Sequence, residues 1–260
     1  MNFAGALVAA GLALGSYSLA QLPGTSLPPG IRSTGAPACT SNTGGGGTFA
    51  NVVGLWHFDN TGADNGSSGA KTLTLNGGAV YSTTQAKFGT YSLSIVTGGT
   101  SYAQLPAAAG VLIPASTDFT VEAWLYFPTT APTYMGWIGD DQTTWLGPYA
   151  QPNLTIQIAG AGITATPTAA TVFTPNVWHH YAVVRQSNAI QFYTDGNQAS
   201  GGGGTNSNVV GSASVGSKIG RSYSATYVQP SGSFIDEARI SNVARYTANF
   251  TPPVLAFCNN

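Results

Sequence analysis

The sequence predicts an all-β protein, an antiparallel two-sheet jelly-roll sandwich preceded by an N-terminal extended or short-helical arm. Short apolar runs of strand length recur from residue 52 onward, and no helix-length periodic stretch competes with them. Glycine fills 34 of the 260 positions, about twice the usual share of roughly 7%, and Pro, Ser, Thr and Asn collect between the runs, as frequent turns require. With 43% apolar and 11% aromatic residues, the chain can bury a sizeable core, which excludes global disorder.

The runs follow one another with turn signals between them: 52–58, 79–81, 91–95, 102–105, 119–127, 135–138, 154–158, 178–185, 189–194, 217–219 and 233–240. Ile190–Thr194 leads into Asp195-Gly196, a tight hairpin turn in which glycine supplies positive φ without a Cβ clash. The tract Gly201–Gly204 reads as a hairpin loop within one domain rather than a domain boundary. Strands without intervening helices stack as two sheets, and one domain over 49–260 is the simplest arrangement.

Ahead of it, residues 1–22 are apolar and rich in small side chains, and residues 23–48 form a Pro/Gly-rich linker without apolar periodicity. Two readings stand for the first segment. Ser18-Leu19-Ala20 suits a signal-peptidase site, whereas the absence of Lys or Arg ahead of the apolar run favours a retained packing or assembly arm. The run is short for a bilayer core of about 30 Å, so no membrane span is expected.

Charged residues make up 7% of the chain, with 8 Lys+Arg against 9 Asp+Glu and a net charge of −1. Nucleic acid is not an expected partner, since the basic residues are scattered and cannot displace condensed counterions as a cluster. Two cysteines are too few for a disulfide scaffold, a four-thiolate zinc site or an iron–sulfur cluster.

Four segments in order carry a resemblance: Gly54–Asp59 (GLWHFD) with its Asn/Gly/Asp/Ser loop, Asp118–Trp124 (DFTVEAW), Trp178–Arg185 (WHHYAVVR) with Tyr193–Gly196 (YTDG), and Gly232–Ile240 (GSFIDEARI). Over residues 49–253 the chain resembles the concanavalin A-like superfamily, in particular laminin-G-like domains. Its ending, Ile240–Pro253 (ISNVARYTANFTPP), is similar to that of laminin-G-like modules on bacteriophage structural proteins. The family includes lectins, adhesion modules, glycosidases and structural decorations, so the fold alone does not choose a function. The resemblance implies a non-enzymatic virion structural protein, held by residues 1–48 to other virion proteins in homo-oligomeric or repeated copies and displayed on the virion surface. A host-surface glycan is then the outward partner. The alternative is a secreted or cell-surface carbohydrate-binding lectin, with a glycoside hydrolase as a minor third.

Glycoside hydrolysis needs two carboxyl groups about 5–9.5 Å apart, and the family's glucanases carry them as Glu-x-Asp-x-Glu. The only glutamates here, Glu122 and Glu237, lie outside such a motif and read as structural ion-pair members, with Glu122 expected to pair across strands with Arg185. Serine chemistry lacks a Gly-x-Ser-x-Gly elbow, no phosphate-binding loop occurs, and adjacent His179 and His180 point to opposite faces of a strand and cannot share a metal. No catalytic residue is therefore expected.

Trp137, Asp140, Asp141, Trp145 and Tyr149 gather aromatic and carboxylate groups on what reads as a loop, the mixture that stacks on and hydrogen-bonds a sugar. Core or interface packing is the competing reading for the two tryptophans. No cofactor is required; calcium is the one candidate ion, because related domains bind it at a sheet edge and the loop bearing Asp59 and Asp64 is rich in oxygen ligands. An ordinary polar turn would use the same residues. Cys39 and Cys258 bracket the sandwich, where the first and last strands of this architecture often lie side by side, so one bridge or two free thiols remain as alternatives.

Overall fold

Alternation along the longest runs decides which side chains enter the core, and pairing in the computed structural model builds two sheets from them. The structure describes residues 39–41, 47–69, 71–97, 100–110, 112–128, 174–199, 204–205, 207, 216–221 and 229–259, together with the backbone of 138–139, 145–150 and 156–159. Its strands are β1 (Val52–Trp56), β2 (Thr74–Asn76), β3 (Val80–Ser82), β4 (Ser92–Ile95), β5 (Tyr102–Gln104), β6 (Phe119–Tyr126), β7 (Ile138–Gly139), β8 (Trp145–Ala150), β9 (Ile156–Ala159), β10 (Trp178–Gln186), β11 (Ala189–Thr194), β12 (Asn197–Gln198), β13 (Lys218–Ile219) and β14 (Ser233–Ser241). Among the described residues the only helical pieces are single 3-10 turns at Phe49–Asn51 and Ala107–Ala109.

An eight-stranded sheet runs β12-β11-β10-β6-β14-β4-β3, with β1 also paired to β14, and a six-stranded sheet runs β2-β5-β13-β7-β8-β9. The main core holds Phe119, Val121, Ala123 and Leu125 of β6 and Tyr181 and Val183 of β10, packed with Ala103 of β5 and Ile219 of β13. It therefore lies between the sheets, as two apolar sheet faces require. Thr120, Glu122, Trp124 and Tyr126 alternate onto the opposite face.

The expected Glu122–Arg185 pair does not form. Antiparallel pairing sets Ala182 opposite Glu122 and Phe119 opposite Arg185, which puts Arg185 on the core side while Glu122 faces outward. Arg185 instead donates to the carbonyls of Thr117 at 2.7 Å and Pro114 at 3.0 Å and lies over the Phe119 ring. Strand parity named each face correctly, but parity carries no register.

Asp195 and Gly196 both have positive φ, 49° and 76°, as the hairpin signal predicts. A second tight turn, Ser187-Asn188 at φ 49° and 68°, joins β10 to β11. Gly204 accepts the Ile190 N–H at 2.8 Å and Thr205 bridges Ala189, so the end of the glycine tract runs beside β11.

The chain divides into two units, Met1–Ala36 and Pro37–Asn260. The proposed arm, 1–22, and most of the linker, 23–48, lie outside the described residues. The linker's Cys39–Ser41 belongs to the second unit: Thr40 pairs in parallel with Phe257, and Cys39 is disulfide-bonded to Cys258. Among the described residues no helix is long and apolar enough to cross a membrane.

Candidate functional site

The outward face of the eight-stranded sheet gathers most of the described chemistry. At its centre Glu122 is fully buried, and four donors fill its two oxygens. Oε1 accepts from Arg239 Nε at 2.9 Å and Nη2 at 2.7 Å, while Oε2 accepts from His180 Nε2 at 3.1 Å and the Tyr246 hydroxyl at 2.8 Å. Burial alone would raise its pKa; the Arg239 charge and the His180 hydrogen bond outweigh it and hold the carboxyl at about 2. Glu122 is thus an ionised group with its lone pairs occupied, unable to serve as general acid or as nucleophile.

The second glutamate is fixed in a different way. β14 carries a register break between Asp236 and Arg239, and Glu237 sits within it at φ 51°, a costly backbone for a residue with a Cβ. The break turns Glu237 away from the ladder, where Oε1 meets His57 Nδ1 at 2.6 Å and Oε2 accepts the Phe257 N–H at 2.8 Å. Asp236 accepts backbone N–H groups of Lys87, Phe88 and Glu237. Burial, joined by the Glu237 charge, nonetheless lifts its pKa to about 8. Every one of these carboxylates ties strands or loops together.

His179 and His180 do point to opposite sides. His179 Nδ1 meets Asp195 Oδ2 at 2.6 Å and Nε2 meets the Thr174 carbonyl at 3.0 Å, a pair of acceptors that selects the imidazolium. Burial lowers its pKa, but the Asp195 bond and charge outweigh burial and raise it.

Toward the Tyr126 end of β6, the outward face becomes aromatic. Phe234, Tyr126 and Trp178 form a row, with Tyr126 5.8 Å from Phe234 and 5.6 Å from Trp178 between ring centroids. Tyr126 and Trp178 are part-exposed, the Tyr126 hydroxyl donates to Asn176 Oδ1 at 3.3 Å, and the buried indole N–H of Trp178 has no hydrogen-bond partner among the described residues. Beside the row, Lys87 Nζ lies 3.8 Å from the Trp124 ring centroid, a cation–π contact. Rings of this kind, with a polar edge and an apolar face, suit the apolar side of a sugar. The row escaped sequence reading because its members come from three strands; parity along β6 placed Tyr126 on the face of Glu122, but only the register of the structure sets Trp178 opposite it.

Of the sequence-derived glycan residues, Trp137, Asp140 and Asp141 lie outside the described residues. Trp145 and Tyr149 fall on β8, a strand paired with β7 and β9 rather than a loop, with their side chains outside the description. Asp59 and Asp64 serve different turns. Asp59 Oδ1 accepts the N–H groups of Thr90 and Tyr91. Asp64 accepts those of Leu55, Gly66 and Lys71 and lies 3.4 Å from Lys71 Nζ. Among the described residues no group of three or more His, Cys, Asp or Glu is placed to hold a metal.

A laminin-G family model, of the concanavalin A-like lectin/glucanases superfamily, matches residues 97–249. No curated protein matches the sequence. The fold is similar to domain 4 of AbnA, a GH43 extracellular arabinanase from Geobacillus stearothermophilus, in complex with arabinotriose, at 20% identity and TM-score 0.57, covering 76% of this chain and 95% of that one. It is similar to a Trypanosoma rangeli sialidase in complex with 2,3-difluorosialic acid at 14% identity and TM-score 0.51, covering 83% of this chain and 34% of the sialidase. The binding domain of Paraclostridial Mosquitocidal Protein 1 is also similar, at 11% identity and TM-score 0.52, covering 75% of this chain and 50% of that one. The chain thus spans about a third of the sialidase and half of the toxin domain, and identities this low speak for the fold alone. With the family model covering more than half of its length and both sheets in place, the chain belongs to the concanavalin A-like lectin/glucanases superfamily.

Proposed function

We propose that this chain is a carbohydrate-binding domain that holds sugar without cleaving it. The observation that carries this reading is the row Phe234–Tyr126–Trp178, buried at Phe234 and part-exposed at Tyr126 and Trp178, on the same face as a glutamate whose four bonds leave it no catalytic freedom. The segment holding Trp137, Asp140, Asp141, Trp145 and Tyr149 is a second contributor to the same function, read from its composition. Arabinotriose, the sugar in the AbnA domain 4 complex, is the first probe, followed by a panel of neutral oligosaccharides. Trp178→Ala is expected to weaken binding at least tenfold, about 1.4 kcal/mol, by isothermal titration, with Trp145→Ala testing the segment separately. Wild-type affinity in both variants would sink both sites, and release of reducing ends from any panel member would sink the non-catalytic reading.

The setting we propose is a virion surface, with residues 1–48 attached to other virion structural proteins in repeated copies and the domain turned toward host glycan. A second reading, a secreted lectin lacking residues 1–20, is favoured by the Cys39–Cys258 disulfide, because such bonds persist in oxidising compartments. Intact mass and N-terminal sequence of the protein from its natural source separate them: retention of Met1 or Asn2 supports the particle, and a chain starting at Gln21 supports secretion.

A further inference from the structure

A pocket of about 160 Å³ opens beside the disulfide, at the Thr120 end of β6 and away from the aromatic row. Hydroxyls of Thr40, Ser41, Tyr246 and Thr251 and the side chains of Arg239 and Arg245 line it. Both arginines are 3% exposed, so their charge is held in a region of low dielectric. Each is also pinned. Arg239 is forked onto Glu122 Oε1 and lies 3.6 Å over the Phe257 ring, while Arg245 donates to Ser241 Oγ at 2.7 Å and to the Thr48 carbonyl at 3.2 Å.

Two fixed guanidiniums stand against one carboxylate, Glu122, which Arg239 grips directly and whose charge also acts on Arg245, and they give the pocket wall a positive character. Burial and then the like charge of Arg239 lower the Arg245 pKa to about 10, with Glu122 pulling the other way. A guest that brings a second negative charge relieves that repulsion. The pocket has room for a carboxylate and part of the ring that bears it, since a water molecule takes about 30 Å³. Ser41 and Thr251 are exposed lining residues at the rim, the part of the pocket that a sugar ring would meet first. The Thr40 wall depends on the disulfide and on the Cys258 N–H bond to the Thr40 carbonyl at 3.0 Å.

We propose that this pocket binds the carboxylate of an acidic sugar residue, with Arg239 and Arg245 as the charged wall and Ser41 and Thr251 as hydroxyl partners at the rim. The sugar identity rests on the carbohydrate-binding reading above. Neutral-oligosaccharide binding, and its loss in Trp178→Ala, decides that reading independently of this one.

The test titrates the full-length, disulfide-bonded protein with sodium glucuronate, sodium acetate and glucose at constant ionic strength. Saturable glucuronate binding at least tenfold tighter than acetate or glucose is the expected result. Thr251→Glu, which sets a fixed carboxylate at the exposed rim, is expected to weaken glucuronate at least tenfold; Ser41→Glu makes the same change on the other wall if the first variant fails to fold. Equal affinity for acetate and glucuronate would overturn the sugar assignment. Glucuronate binding that is absent, or unchanged in a folded rim variant, would overturn the site.

Discussion

Glu122 shows most clearly how a single side chain commits this face to structure. Its carboxylate joins β6 to β10 through His180, to β14 through Arg239 and to the C-terminal segment through Tyr246. Removing the charge strands a buried guanidinium, and losing one partner of a buried pair costs about 3–5 kcal/mol. Glu122→Gln is expected to lower unfolding free energy by that amount in urea. The sign with pH follows from a folded pKa near 2, below the ordinary 4.5. The ion pair's contribution is complete above about pH 4.5 and is lost as pH falls toward 2, so the difference between wild type and Glu122→Gln should shrink through that window. A constant difference from pH 7 to pH 2 would show that Glu122 is not ionised in the fold. At this scale the sequence was legible in kind, since Glu122 and Glu237 read as ion-pair members, but the partner was not. Arg185 and Arg239 are both arginines on strands flanking β6, and only the register and the break in β14 distinguish them.

Legibility among the elements follows length and turn chemistry. β6, β10, β11 and β14 could be read because six or more alternating residues outweigh local noise, and the Asp195-Gly196 turn could be read because glycine tolerates the required φ. β2 and β12 could not, being short, polar and stabilised by pairing rather than by their own pattern. β8 read as a loop because Gly147 and Pro148 interrupt it, residues that local propensity assigns to turns and that strand pairing here overrides. The Asp195-Gly196 turn also does more than reverse the chain: it seats the C-terminal segment. The Phe250 N–H donates to the Gly196 carbonyl at 2.9 Å, and a Cβ at Gly196 would lie 1.8 Å from the Phe250 carbonyl oxygen. Gly196→Ala therefore combines a positive-φ penalty of about 1 kcal/mol with displacement of Phe250 from Tyr193 and Tyr246. Hydrogen exchange should show faster opening at Phe250 and Gln198 while β6 and β14 stay protected. Uniform protection would mean that the segment does not depend on the turn.

At the scale of the whole molecule, Cys39–Ser41 and Leu255–Cys258 meet through a disulfide, a parallel bridge and a hydroxyl bond, and that closure ties the stability of the sandwich to the oxidation state of one bond. Neither partner of the Thr40–Phe257 bridge was legible as a strand, because Cys39 lies in a Pro/Gly-rich stretch whose composition reads as linker and pairing across such a separation leaves no local pattern; only the two bracketing cysteines hinted at it. For the same reason the aromatic row was hidden while the compact cluster from Trp137 to Tyr149 stood out: a site contributed by three strands has no sequence motif. The Cys39–Cys258 bond joins residues 219 apart, and in the chain-entropy account closing so long a loop contributes about 5 kcal/mol by restricting the unfolded chain. Thr40 adds a parallel bridge to Phe257 and a hydroxyl bond to the Leu255 carbonyl at 2.8 Å, contacts that depend on the same closure. Reduction is therefore expected to lower the melting temperature by about 10–20 °C and to free Cys39–Ser41 from the C-terminal segment, while the eight-stranded sheet, whose ladders lie within 52–241, remains folded at 25 °C. The measurement is a melt of oxidised against reduced protein, paired with proteolysis that distinguishes a freed end from global unfolding. An identical melting temperature would mean that the bond fastens an end the fold already holds, and the oxidising setting would then lose its structural rationale.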